Sequence, residues 1–105
     1  MSRRVVFGRR ALDDLREVAR WIAANAGLRT AARYVARLRV YCERFDEFSE
    51  RGTRRDDLRP GLRTIGFERR VTVVFAVFET EVVILRLLYG GRDIDAALAE
   101  DDGFG

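Results

Sequence analysis

All twenty basic residues of this 105-residue chain are arginines, and Arg63, Arg69, Arg70, Arg86 and Arg92 lie in or beside the apolar runs of its second half. A guanidinium is planar, permanently charged and bidentate toward phosphate and carboxylate. Such a set suits gripping an anion and offsetting negative charge; it does not suit moving protons. The chain has no histidine and no lysine, and its single Cys42 excludes an internal disulfide and a cysteine-rich metal site. Zinc catalysis, Ser-His-Asp chemistry and Cys-His chemistry are therefore excluded in their ordinary forms. A general acid or base would have to be a carboxylate, a perturbed arginine or a tyrosine such as Tyr89. No metal or cofactor is expected, and the five arginines are candidates to meet at one sheet edge.

The runs that would position them are Val71 to Phe78 and Val82 to Leu88, separated only by Glu79-Thr80-Glu81. Strands with one wet face alternate apolar and polar residues; these do not, so the hairpin is expected at the centre of a sheet covered on both faces. Arg86 interrupts the second run, on the side of Val82, Ile84 and Leu88 if alternation is unbroken. A guanidinium there must find a carboxylate such as Asp93 or Glu68, a carbonyl or the sheet rim, because an unpaired buried charge is very costly.

Upstream, Arg3 to Phe7 reads as a first strand closed by Gly8. The period then becomes helical, with Ala11, Leu12, Leu15, Val18, Ala19, Ile22 and Ala26 on one stripe and Asp13, Asp14, Arg16, Glu17 and Arg20 off it. Gly27 can end this helix in a left-handed conformation. A second helix follows from Leu28 or Thr30 to about Ser49, its stripe comprising Leu28, Ala31, Ala32, Val35, Leu38, Tyr41, Cys42, Phe45 and Phe48. Helices joined this tightly form an antiparallel hairpin, whose apolar face should pack on the sheet. Residues 49–61 are polar, arginine-rich and hold the sole proline, so a loop is expected. Leu62 to Glu68 reads as another strand, with Gly66 a candidate bulge, and Glu68-Arg69-Arg70 as a turn. Asp93 to Glu100 can form a short terminal helix capped by Asp93 or Asp95, with Arg92-Asp93 supplying the cap and an ion pair, and residues 101–105 are expected to fray. The result is a single α+β domain, 1–105, in β-α-α-β-β-β order: a helix hairpin on a mostly antiparallel sheet. Its order within the sheet is not fixed by periodicity.

The net charge of +3 and pI near 9.7 fit a phosphate-bearing or acidic partner, or simply a charged surface. The N-terminus lacks the apolar core of a signal peptide and no apolar run reaches membrane-spanning length. A soluble, cytoplasmic protein without membrane contact is expected.

Several stretches taken in order resemble the ParE branch of the ParE/RelE toxin superfamily. They are Ala11-Leu12-Asp13-Asp14-Leu15 with Ile22, then Ala31-Ala32-Arg33-Tyr34, then Arg51-Gly52 with Asp57-Leu58-Arg59-Pro60-Gly61-Leu62-Arg63. The last is Ile84-Leu85-Arg86-Leu87-Leu88-Tyr89-Gly90 with Arg92-Asp93. The resemblance spans nearly the whole chain and implies the same β-α-α-β-β-β fold. It also implies the toxin half of a type II toxin–antitoxin pair, masked by a ParD-like antitoxin that reads operator DNA, so that the toxin meets operator DNA only through the antitoxin.

In this superfamily the ParE branch poisons DNA gyrase and the RelE branch cuts messenger RNA on the ribosome. RelE-type cleavage asks for cations around the phosphate and a proton-transfer group, two separate tasks. This chain has cations without lysine or histidine, and Tyr89 stands where the ParE ending usually carries a histidine. Gyrase poisoning is therefore the reading, with an arginine-only endoribonuclease or a non-toxic antitoxin-binding relic as alternatives. Arg63, Arg69, Arg70, Arg86, Tyr89 and Arg92 are the candidates for contacting the target. Leu15, Trp21, Ile22, Leu38 and Phe45, along the helix hairpin, are the candidates for contacting the antitoxin.

Overall fold

A computed structural model describes residues 2–99. The chain runs β1 (Arg4–Phe7), α1 (Arg9–Ala26), α2 (Leu28–Glu43), a 3-10 turn (Arg44–Asp46), β2 (Thr53–Arg54), β3 (Leu62–Phe67), β4 (Val71–Val77), β5 (Glu81–Tyr89) and α3 (Ile94–Ala99). This is the expected order with one added strand: β2 lies within the stretch assigned to loop, pairing Thr53 with Thr64 and Arg54 with Arg63. Residues 100–105, which include the end of the expected terminal helix, lie outside the described residues. No described helix is long and apolar enough to cross a membrane.

The five strands lie in the order β1-β5-β4-β3-β2. All neighbours are antiparallel except β1 and β5, which pair in parallel from Arg4↔Glu81 to Phe7↔Ile84. The two unbroken apolar runs are thus interior strands. On one face, Val73, Phe75, Val82, Ile84 and Leu87 pack with Leu15, Val18, Ile22, Leu38 and Phe45 of the helix hairpin. On the other, Leu62, Val74 and Leu88 pack with Ala97 and Leu98 of α3, with Leu58 at the margin. Each fully buried valine, leucine or phenylalanine contributes about 1.5–3 kcal/mol of transfer free energy, so both covers are needed.

The buried stripe of α1 is Ala11, Asp14, Leu15, Val18 and Ile22; Leu12 and Ala26 fall outside it. That of α2 is Ala31, Tyr34, Leu38 and Cys42. Leu28, 81% exposed, and Phe48, 69% exposed, are not core. The reason is local geometry. Leu28 begins α2 at the outer tip of the hairpin, and α2 ends at Glu43, before Phe48 could continue its stripe. Gly27 makes the corner between the helices at φ 94°, ψ 162°, a backbone region open essentially only to glycine.

Alternation in β5 is not continuous. Phe75 pairs with Ile84 but Val74 pairs with Arg86, so Leu85 is an extra residue, a β-bulge. Val82 and Ile84 face the helix hairpin; after the bulge Leu87 does so, while Leu85 and Leu88 face α3. Arg86 therefore does not share a side with Val82 and Ile84: it lies opposite Val74, on the α3 side. The bulge expected at Gly66 is absent, as Gly66 pairs in register with Thr72.

Candidate functional site: an aromatic and arginine cleft

Three elements remote in sequence meet at one end of the sheet: α1 through Trp21, the β3–β4 turn through Arg69 and Arg70, and the end of β5 through Tyr89 and Gly90. They line an open cleft of about 430 Å³. Each arrives for a local reason. Trp21 precedes Ile22 on α1 and so sits at the border of the buried stripe, leaving it 50% exposed. The turn reverses tightly: the Arg70 N–H donates to the Phe67 carbonyl at 3.1 Å, with Glu68 and Arg69 at φ 48° and 59°. Two consecutive positive φ values are what tight hairpin turns require, and neither residue is glycine, so the turn carries backbone strain. Gly90, at φ 70°, donates its N–H to the Arg70 carbonyl at 2.7 Å and ties turn to strand end.

The bulge turns Tyr89 to the helix side, where its ring meets Trp21 with centroids 4.5 Å apart and planes tilted by 45°. The Arg70 Nη1 donates to the Tyr89 hydroxyl at 3.4 Å. Among the described residues, neither Arg69 nor Arg70 makes an ion pair. The cleft lining holds no carboxylate. It offers hydrogen-bond donors, positive charge and ring faces.

Beneath it, Tyr34 of α2 is only 5% exposed and its hydroxyl has no hydrogen-bond partner. Burial, and then the charge of Glu68, push this phenol up to about 12, against the opposing pull of Arg70 and Arg37. Arg37 donates to both carboxylate oxygens of Glu68, each at 2.9 Å, and this pairing holds the Glu68 carboxyl below the usual carboxylate range. The pair clamps the β3–β4 turn to α2. Beside the clamp, Ala36, Val40, Tyr41 and Phe67 form an apolar groove of about 400 Å³ edged by Arg37, Arg44 and Glu68.

The remaining arginine candidates do not converge on this cleft. Arg63 lies at the opposite end of β3, where its guanidinium donates to the Arg51 carbonyl at 3.3 Å and approaches Glu50 at 3.7 Å. Arg92 approaches Glu17 at 4.0 Å, one turn of α1 before Trp21, so it borders the cleft without lining it. Arg86 is 2% exposed. Its Nε and Nη2 donate to the two Asp14 oxygens at 2.8 and 3.1 Å, and its Nη1 to the Ala97 carbonyl at 2.9 Å. The expected carboxylate is thus Asp14, not Asp93 or Glu68, and Asp93 instead caps α3 by accepting the Asp95 N–H at 2.9 Å.

Leu15, Ile22, Leu38 and Phe45 also need correction as surface candidates. All four are buried between helix hairpin and sheet and present no face to a partner. Trp21 alone of that set is accessible. What sequence reasoning missed, Asp14 and Tyr34, carried a visible sign: both fall at i+3 within an apolar stripe, after Ala11 and Ala31 respectively, and a polar group at such a position must find a partner or remain orphaned.

The architecture is that of an α+β protein with a cationic, aromatic-walled surface cleft. Residues 5–94 match the family described as the ParE toxin of the type II toxin–antitoxin system, parDE. The chain is 34% identical over 97 residues to Toxin ParE3 of Caulobacter vibrioides, a match covering 92% of this chain and 96% of that protein. It is also similar to a chain of the solved chromosomal ParDE toxin–antitoxin system from P. aeruginosa: TM-score 0.73, 24% identity, 84% of this chain and 96% of the other. The chain belongs to the ParE toxin family of type II toxin–antitoxin systems.

Proposed function

We propose that the protein is a cytoplasmic toxin that inhibits DNA gyrase by binding it, and that a ParD-like antitoxin holds it inactive. The observation that carries this reading is membership of the ParE family over residues 5–94. The make-up of the cleft supports a binding role. Two arginines, a tryptophan and a tyrosine stabilise negative charge and offer contact area, while a nuclease also needs a group that transfers protons. Tyr34, the nearest further hydroxyl, is buried and held protonated.

Masking by the antitoxin fits the outer face of α2. Ala32, Ala36 and Val40 are exposed at helical spacing among Arg29, Arg33, Arg37 and Arg44, a surface complementary to an acidic amphipathic segment. A segment that orders on binding bears an entropic cost and needs a long contact, which the groove beside Phe67 extends. Operator DNA would be met only through the antitoxin.

The test is a supercoiling assay with purified gyrase, scoring loss of supercoiling and trapped cleaved DNA, with and without antitoxin. Inhibition that the antitoxin relieves, and that falls in Arg69→Ala and Arg70→Ala but persists in Arg54→Ala, is expected. No inhibition at micromolar concentrations of folded protein would overturn the gyrase reading and direct the search to ribosomes.

A further inference from the structure

We propose that the cleft formed by Trp21, Tyr89, Arg69 and Arg70 binds an unpaired nucleotide of single-stranded nucleic acid, its base on the open face of Trp21 and its phosphate on the two guanidiniums. The inference goes beyond gyrase inhibition and does not depend on it.

Three features of the cleft select this ligand. First, its polar groups are almost all donors. Arg69 and Arg70 accept nothing, the Trp21 indole only donates, and the cleft lining contains no carboxylate. The ligand must bring acceptors and negative charge. Second, neither guanidinium is neutralised by an ion pair among the described residues, whereas Arg37, Arg54 and Arg55 each have a carboxylate at 2.9–3.0 Å. Guanidinium forks recognise phosphate bidentately, and Arg70 is already oriented by the Tyr89 hydroxyl.

Third, the wall opposite the charges is aromatic. Trp21 is half exposed although Tyr89 packs on it, so a ring surface remains open beside the guanidiniums. Stacking a planar base on such a face is tolerant of sequence because every base has one. A cleft of about 430 Å³ has room for one nucleotide and is too small for a duplex, whose bases are already stacked on each other. An acidic peptide would satisfy the arginines but leave the ring without a planar partner.

Trp21 is the only tryptophan in the chain, so its fluorescence reports on this cleft alone. Full-length protein is titrated with oligothymidylate, oligouridylate, duplex DNA of matched charge, polyglutamate and inorganic phosphate. The expected result is saturable quenching by either single strand and little by duplex or polyglutamate. The deoxy and ribo arms show which sugar is preferred. Binding followed by anisotropy of labelled oligomer should weaken about tenfold or more in Trp21→Ala. It should weaken severalfold in Arg69→Ala and Arg70→Ala, with a shallower salt dependence, and be unchanged in Arg54→Ala at the far end of the sheet. Denaturant midpoints identify any variant that has lost its fold. Equal binding of duplex or polyglutamate would overturn the proposal in favour of a general polyanion or acidic-protein surface. Unchanged binding in the folded Arg69→Ala and Arg70→Ala variants would overturn it as well. No gyrase is present in the assay, so its failure and that of the gyrase reading are separable.

Discussion

Asp14 and Arg86, 72 residues apart, are joined by two hydrogen bonds of 2.8 and 3.1 Å at a point where both side chains are shut off from solvent. Asp14 also accepts the Leu87 N–H at 2.9 Å. That donor lies on the stretch of β5 beyond Ile84, the last residue paired with β1. One carboxylate from α1 thus satisfies both a buried cation and the backbone of β5 past the end of β1, while Arg86 carries the link on to α3.

Because removing one member of a buried pair strands the other, Arg86→Ala or Asp14→Ala should each cost about 3–5 kcal/mol, measured by urea unfolding. An apolar pair, Asp14→Leu with Arg86→Met, should recover much of that loss. Reduced toxicity of Arg86→Ala would then report on folding, and toxicity per folded molecule would be unchanged.

Tyr34→Phe should be neutral or stabilising, by up to about 1 kcal/mol, since it removes a buried hydroxyl that makes no hydrogen bond while keeping the ring against Phe67. A clear loss of stability in equilibrium unfolding would show that the hydroxyl is satisfied in solution.

Alkaline pH should destabilise the fold in two stages. Burial pushes the Cys42 thiol up from 9.0 to about 12, and Tyr34 rises from 10.0 to about 12. Above pH 9 for the thiol and pH 10 for the phenol, the unfolded chain has released a proton that the folded chain still holds. Stability is therefore full below these values and falls as pH rises toward 12, by at most about 1.4 kcal/mol per pH unit for each group. Unfolding free energies measured across this range should fall more gently above pH 10 in Tyr34→Phe.

The same buried thiol should be inert in the native state. Cys42 is 0% exposed, so reaction with an aromatic disulfide reagent at neutral pH should proceed only through opening of the fold. It should accelerate in step with the destabilisation measured for Arg86→Ala.

Gly27→Ala tests the corner of the helix hairpin. No heavy atom stands within 4 Å of the added methyl, so the cost is purely one of backbone conformation, of order 1–3 kcal/mol. Thermal or urea unfolding would detect it.

The apolar runs 71–78 and 82–88 were enough to place β4 and β5 inside a doubly covered sheet, because continuous burial leaves no room for alternation. The helix hairpin was legible from its stripes and Gly27. Misreadings came where pattern and partner part company. Phe48 matched the α2 period, but that helix had already ended. Leu15, Ile22, Leu38 and Phe45 were readable as apolar, yet whether an apolar stripe meets a partner or the protein's own sheet is set by packing and not by spacing. Arg63 and Arg69 look alike in sequence; only the direction of β3 sends them to opposite ends. The parallel seating of β1 beside β5 left no mark in composition at all.

The bulge at Leu85 has a consequence for how this chain tolerates changes of length. Loss of a single codon between Ile84 and Tyr89 would shorten β5 by one residue and exchange the sides of everything after it. A guanidinium would turn toward the leucines and valines under the helix hairpin, and the Tyr89 ring would leave Trp21 for the far face. Loss of two codons would keep the sides and merely draw the strand end inward. For this short stretch, odd and even deletions are different kinds of mutation: an odd one dismantles the core and the cleft together, while an even one trims the cleft alone.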